Sequence, residues 1–215
     1  MSNPTTPASI GPGEFFPVVG VGPHEKPWPE GAHYDPDLLL NGDRRNVLDH
    51  YRYWTVEAIV ADLDSKRHKL QIAIENWQHD LNIGSIVRTA NAFNVSGVHI
   101  VGKRDWNKRG AMVTDRYLTV HHHPTVEDFA AWCKENELPI IGIDNVPGSK
   151  QLESAQLPEK CVLLFGQEGA GMSDEGIAVC EVLYEINQYG STRSMNASAA
   201  GAIAIYHWAL QHLPR

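Results

Sequence analysis

The stretch DLNIGSIVRTANAFN, residues 80–94, decides how this chain folds. Within it Ile83, Ile86, Val87, Ala90 and Phe93 recur at helical spacing, so residues 83–93 read as a helix with one apolar stripe. Upstream, Leu70, Ile72 and Ile74 alternate as in a strand, and downstream residues 97–101 read as a second strand. The three form a β-α-β unit, whose crossover makes the strands parallel. Further strands are expected at residues 139–144, 161–165 and 182–186, with helices at 125–137 and 174–179. A closing helix is expected over residues 195–213, and its first half, Ala197 to Ala202, is almost free of bulk and suited to close packing. This alternation predicts an α/β fold, a mainly parallel sheet with helices on both faces.

Toward the N-terminus the pattern changes. Residues 1–36 hold eight of the thirteen prolines and five glycines without an apolar period, so residues 1–40 are expected to be a flexible tail. Leu48, Tyr51, Trp54, Ala58, Ile59 and Leu63 then predict an amphipathic helix over residues 47–62, which makes residues 41–66 a helical extension before a main domain at 67–215. With 215 residues, 42% of them hydrophobic, the chain is long enough for one well-buried core. The formal charge of -8 argues against indiscriminate coating of nucleic acid, although local basic patches can still grip phosphates. Three scattered cysteines form neither a disulfide framework nor a metal motif. The sequence has no apolar run of membrane-spanning length and no signal-peptide pattern, so a cytoplasmic protein without membrane attachment is expected.

Three segments carry chemistry. In the first, Asn82 stands where a side chain caps a helix, and Arg88 lies off the apolar stripe, either as a solvated arginine or as a donor fork for a phosphate or ribose. Asn94 suits a left-handed helix end. In the second, the buried-strand run 162–165 opens into Gly166-Gln-Glu168-Gly-Ala-Gly171-Met-Ser, at the strand end where open α/β sheets bind ligands. Its glycine spacing fits neither a P-loop nor a dinucleotide fingerprint, and Glu168 within it is either exposed or paired, Arg88 being one candidate partner. In the third, Ser194-Met195-Asn196 precedes the small-residue helix, and Ser194 alone reads as an N-cap.

Taken together these segments resemble the SpoU, or TrmH-type, branch of the SPOUT RNA methyltransferases. The family's Asn-x-Gly-x-x-x-Arg-Thr matches Asn82, Gly84, Arg88 and Thr89; its Gly-x-Glu-x-x-Gly matches Gly166, Glu168 and Gly171; its Ser-Leu/Met-Asn matches Ser194, Met195 and Asn196. The resemblance covers residues 69–213 and departs at Asn187, where a proline is usual, and at Asn94, where a glycine is usual. It implies a C-terminal deep trefoil knot, S-adenosylmethionine as cofactor, and a homodimer in which the arginine arrives near the partner's cofactor. Carried over by motif, Gly142, Ile143, Gly166, Ile186 and Met195 would line the cofactor pocket. Asn82, Arg88, Glu168, Ser194 and Asn196 would serve methyl transfer to a ribose 2′-hydroxyl. The family assigns the arginine as base; because a guanidinium offers donors and no acceptor, gripping the adjacent phosphate is the preferred role here.

RNA contact has a separate basis in Lys103-Arg104-Asp-Trp106-Asn-Lys108-Arg109, four cations around a tryptophan after a strand, suited to phosphate contact and base stacking or else simply a solvated loop. Lys66 to Lys69 and Arg44-Arg45 could extend that surface. His121 to His123 lack ligand spacing and read as surface histidines, so no metal is expected. The leading expectation is a tRNA ribose 2′-O-methyltransferase. An rRNA enzyme, a noncatalytic RNA-binding protein of the same fold, and another nucleotide-binding α/β enzyme are the alternatives.

Overall fold

The computed structural model describes residues 20–78 and 82–214, so residues 1–19 of the expected tail lie outside the described residues. Two compact units divide between Ile59 and Val60. In the first, residues 20–40 are tied by hydrogen bonds: Val21 pairs antiparallel with Asp43, and Tyr34 with Trp54. Asp35 caps helix α1 (Pro36–Asn41), and proline suits its first turn because that N–H would have no partner anyway. Asp43 is fully buried and accepts from Arg45 Nη2 at 2.7 Å and from the Tyr53 amide at 3.0 Å. The helix expected over residues 47–62 is interrupted. Asp49–Tyr51 forms one 3-10 turn, Tyr53 adopts a left-handed φ of 64°, and helix α2 begins only at Val56, ending at Asp64. Tyr51 and Trp54 meet each other edge to face rather than lying on one helical stripe, which is why periodicity counted them wrongly.

In the second unit the expected β-α-β opening is present as β1 (His68–Asn76), α3 (Asn82–Ala92) and β2 (Val95–Gly102). Then come β3 (Val120–His123), α4 (Val126–Glu135), β4 (Ile140–Ile143), β5 (Lys150–Gln151), β6 (Cys161–Phe165), α5 (Asp174–Ala178), β7 (Val182–Glu185) and α6 (Ala197–His212). The sheet order is β3-β2-β1-β6-β4-β7-β5, and every named pair is parallel. Period-two alternation assigns the faces. Leu70, Ile72 and Ile74 of β1 with Cys161, Leu163 and Phe165 of β6 join α3 and α6 in one core; Ala73, Val162 and Leu164 join Val126, Phe129 and Cys133 of α4 in the other. Because both faces are covered, the central strands read as continuous apolar runs.

Helices α3 and α6 are each held by a local device. On α3, a Cβ at Gly84 would sit 2.8 Å from both the Ala111 amide and the Asn107 carbonyl oxygen, so glycine lets residues 107–111 dock on the helix backbone. Helix α6 is fastened at its far end: Trp208 Nε1 donates to Pro158 O (3.0 Å), Gln211 Nε2 to Ala155 O (3.0 Å), and the Leu157 amide to Gln211 Oε1 (3.0 Å). At about 1 kcal/mol net apiece, these bonds help fix the helix whose first turn carries Asn196.

Of the three histidines expected at the surface, His123 is instead buried, packed against His99 of the neighbouring strand. His99 is fully buried, His123 nearly so, and their rings stack 5.2 Å apart beneath Trp132, with His99 Nδ1 2.9 Å from His123 Nε2 and His99 Nε2 2.6 Å from Gln71 Oε1. The reason is topological: parallel register sets His99 beside His121 on the strand, and α4 covers that face. Burial, then the neighbouring His121 and His123, pushes His99 down to about 2.

Candidate active site

The carboxyl ends of β4, β6 and β7, neighbours in the sheet, meet on the edge where open α/β sheets bind ligands. A cavity of about 380 Å³ lies there, within the range of small-molecule sites. Three strand-end loops wall it, contributing residues 143–146, 165–172 and, with the start of α6, 186–200. Of the residues expected to hold a cofactor, Ile143, Gly166, Ile186 and Met195 line the cavity. Gly142 does not. It points into the packing between Leu183, Cys180 and Met172, where a Cβ would come within 2.5 Å of Leu183 Cδ2. At Gly166 a Cβ would lie 2.2 Å from the Met172 amide, so the loop closes on itself only with glycine there. Gln167 is buried, and its Oε1 finds no donor among the described residues.

At the cavity mouth the three motifs converge. Asn82, the buried first residue of α3, donates Nδ2 to Glu168 Oε2 at 2.6 Å; Asn196 donates Nδ2 to Asn82 Oδ1 at 2.8 Å and to Glu168 Oε1 at 3.4 Å. Asn196 also caps α6, its Oδ1 accepting from the Ser198 amide at 3.0 Å and the Ala199 amide at 3.3 Å. Asn196 rather than Ser194 is therefore the cap; Ser194 is an exposed lining residue. Glu168 turns to the two asparagines and not to Arg88. Arg88 is exposed and makes no ion pair or hydrogen bond among the described residues. Six residues beyond Asn82, it stands about 9 Å further along α3 and roughly 120° around it.

The basic loop is exposed at Lys103, Arg104, Lys108 and Arg109, with Trp106 half-buried against the core. Lys108 Nζ lies 5.4 Å from the Trp106 ring centre and 3.0 Å from Asp115 Oδ2. The basic residues expected to extend this surface are largely engaged as fasteners: Arg45 on Asp43, Lys66 on Asp62, Lys69 on Glu159, and Arg67 on Asp64 and the Tyr117 carbonyl. Burial pushes the thiols of Cys133, Cys161 and Cys180 up to about 12, so none is a ready nucleophile. Sequence reasoning missed Asp144, Asn145 and Gln188, which also line the cavity; Asp144 ends the strand predicted over residues 139–144 and Asn145 follows it, and that strand-end position was the available signal.

This is an α/β protein with a small-molecule site at its strand ends and a linked Asn–Glu–Asn cluster at the mouth. The chain belongs to the SpoU rRNA Methylase family, whose profile matches residues 69–206. It is 24% identical over 147 residues to a tRNA (guanosine(18)-2′-O)-methyltransferase of Borreliella burgdorferi, covering 67% of each chain. It is 26% identical to the enzyme of that name from Escherichia coli, covering 67% of this chain and 64% of the relative. The matched region thus spans about two-thirds of these relatives. The SpoU methyltransferase AviRb of Streptomyces viridochromogenes, solved with AdoMet, shares the fold at a TM-score of 0.62 and 22% identity, covering 71% of this chain and 61% of that one.

Proposed function

We propose that this protein transfers a methyl group from S-adenosylmethionine to a ribose 2′-hydroxyl of tRNA. The observation that carries the reading is the hydrogen-bonded set Asn82, Glu168 and Asn196, which joins three distant motifs at the mouth of one cavity. The residues present fit the cofactor. The cavity is of suitable size, Gly166 lets the loop that walls it close on itself, and the buried Gln167 oxygen leaves an acceptor unfilled among the described residues. Ile143, Gly166, Ile186 and Met195 would hold the cofactor, which when bound supplies an electrophilic methyl group. The tRNA assignment is supported by the names of the relatives, which make guanosine 18 the first nucleotide to test.

In this reading the Asn–Glu–Asn set fixes the entering ribose, with Ser194 beside it. Arg88 holds the adjacent phosphate through its donor fork, and the hydroxyl's proton passes to a neighbouring phosphate oxygen or water. The separation of Arg88 from the set on α3 supports a homodimer in which each Arg88 serves the partner's site. The exposed apolar residues Ile203, Tyr206 and Leu210, spaced along α6, support such an interface. Lys103, Arg104, Trp106, Lys108 and Arg109 would contact the RNA beyond the reacting nucleotide. We also propose the family's C-terminal trefoil knot within a methyltransferase domain at residues 67–215, and a cytoplasmic location; among the described residues no helix is long and apolar enough to cross a membrane. The test is methyl transfer to size-separated tRNA and rRNA, with cofactor binding measured in parallel. Label in tRNA is expected; label confined to rRNA would leave the chemistry and replace the substrate, and cofactor binding without transfer to either would favour a noncatalytic binder.

A further inference from the structure

Asp144 has no counterpart among the three motifs, yet it occupies the junction of the site. Its backbone is held on both sides, its amide donating to Tyr184 O (3.0 Å) and its carbonyl accepting from Ser149 Oγ (2.9 Å). Its side chain faces the glycine-rich loop: Oδ2 accepts from the Met172 amide at 2.7 Å, while Oδ1 accepts from the Asn145 amide at 2.8 Å. The fit is close, since a Cβ on Gly171 would lie 2.9 Å from Asp144 Oδ2. Next to it, Asn145 Nδ2 donates to Arg193 O at 2.5 Å, so two consecutive residues at the end of β4 tie down both other walls of the cavity.

That anchoring does not require the charge, because a neutral amide oxygen also accepts a backbone N–H, though less strongly than a carboxylate. Asp144 makes no ion pair among the described residues and remains only half-buried at the cavity wall. Among the described residues the lining contains two carboxylates, Asp144 and Glu168, and no Lys, Arg or His. A cavity of that composition favours a positively charged ligand over a neutral one of the same shape, and the partial exclusion of water strengthens the preference. The cofactor and its product differ in this respect. Transfer breaks the bond between sulfur and methyl, forms one between methyl carbon and ribose oxygen, and sends the hydroxyl proton to an acceptor. The sulfur keeps the electron pair, so a sulfonium becomes an uncharged thioether. Ammonium and carboxylate groups are present on both compounds and cancel in a comparison of the two.

We propose that Asp144 is a specificity-determining residue, whose side chain anchors the glycine-rich loop and whose charge makes the site prefer S-adenosylmethionine to S-adenosylhomocysteine. This role rests on the proposed binding of S-adenosylmethionine in the cavity. The test is titration calorimetry of the full chain with each compound, for the wild type, Asp144→Asn and Asp144→Ala, with thermal melts to confirm folding. In Asp144→Asn the amide oxygen can still accept from Met172 N–H, and only the exposed Asn145 amide loses its partner. That variant should weaken S-adenosylmethionine roughly fivefold to tenfold and leave S-adenosylhomocysteine within a factor of about two. Asp144→Ala, lacking the anchor as well, should weaken both. Equal weakening of both compounds in Asp144→Asn, or no change in either, overturns the inference while leaving the cofactor reading intact. A wild-type protein that binds neither compound overturns the cofactor reading itself and this inference with it.

Discussion

Acidifying from pH 7 to pH 5 should cost the fold about 2 kcal/mol through His99 alone. The imidazole is fully buried between Gln71, His123, Phe129 and Trp132, and burial together with His121 and His123 lowers its pKa from 6.5 to about 2. Well above pH 7 neither the folded nor the unfolded chain protonates this ring, so there it contributes no pH dependence. Below 6.5 the unfolded chain takes up a proton that the folded chain refuses, and stability falls by about 1.4 kcal/mol per pH unit once the unfolded ring is fully charged. The loss continues down to the folded value near 2. His121 and His123 are lowered in the same direction, the latter offset in part by Asp128, so the wild-type loss should exceed that of His99 by itself. His99→Gln retains a polar side chain toward Gln71 and His123 but cannot titrate. It should be less stable at pH 8, where ring packing is lost, and should lose about 2 kcal/mol less than wild type between pH 7 and 5. Urea unfolding followed by far-UV circular dichroism at four pH values measures this difference. An identical loss in the two proteins would refute the assignment of the acid sensitivity to His99.

Other perturbations address the site. Gly84→Ala would put a methyl 2.8 Å from backbone atoms of residues 107 and 111, and overpacking of this kind should cost about 1–3 kcal/mol in a thermal melt, with weaker RNA binding as the basic loop shifts. Gly166→Ala places a methyl 2.2 Å from the Met172 amide and should raise the Kd for S-adenosylmethionine at least tenfold by calorimetry without changing helix content. In Glu168→Gln one of two acceptors becomes a donor facing Asn82 or Asn196, and the loosened geometry should lower the single-turnover rate by about a hundredfold. Arg88→Ala should abolish transfer yet leave the cofactor Kd within about twofold, because Arg88 does not line the cavity; a loss of both would contradict this division of roles.

The sheet was legible because its centre is buried on both faces. Cys161–Phe165 matches its predicted span, and α3 and α6 fall within two residues of theirs, α3 from its apolar period and α6 from its run of small helix-forming residues. Short pieces escaped: β5 is two exposed residues that pair only with β7. Residues 108–117 form two 3-10 turns joined through left-handed Met112 and Val113, a conformation that a β-branched residue adopts only under tertiary constraint. Within the site, motif order marked Asn82, Glu168 and Asn196. It could not show that Glu168 turns to the asparagines, because the partners lie 86 and 28 residues away and meet only through the parallel topology. Gly142 shows the opposite failure: it neighbours a true lining residue, Ile143, but strand alternation sends it into the core between Leu183 and Cys180.

Ribose methylation itself is tested by alkaline hydrolysis of tRNA labelled by this protein from methyl-tritiated S-adenosylmethionine. A methyl on the 2′-oxygen blocks attack on the neighbouring phosphodiester, so label should appear in alkali-stable dinucleotides and be absent when Arg88→Ala is used. Label recovered in mononucleotides would mean methylation of a base and would contradict transfer to the ribose.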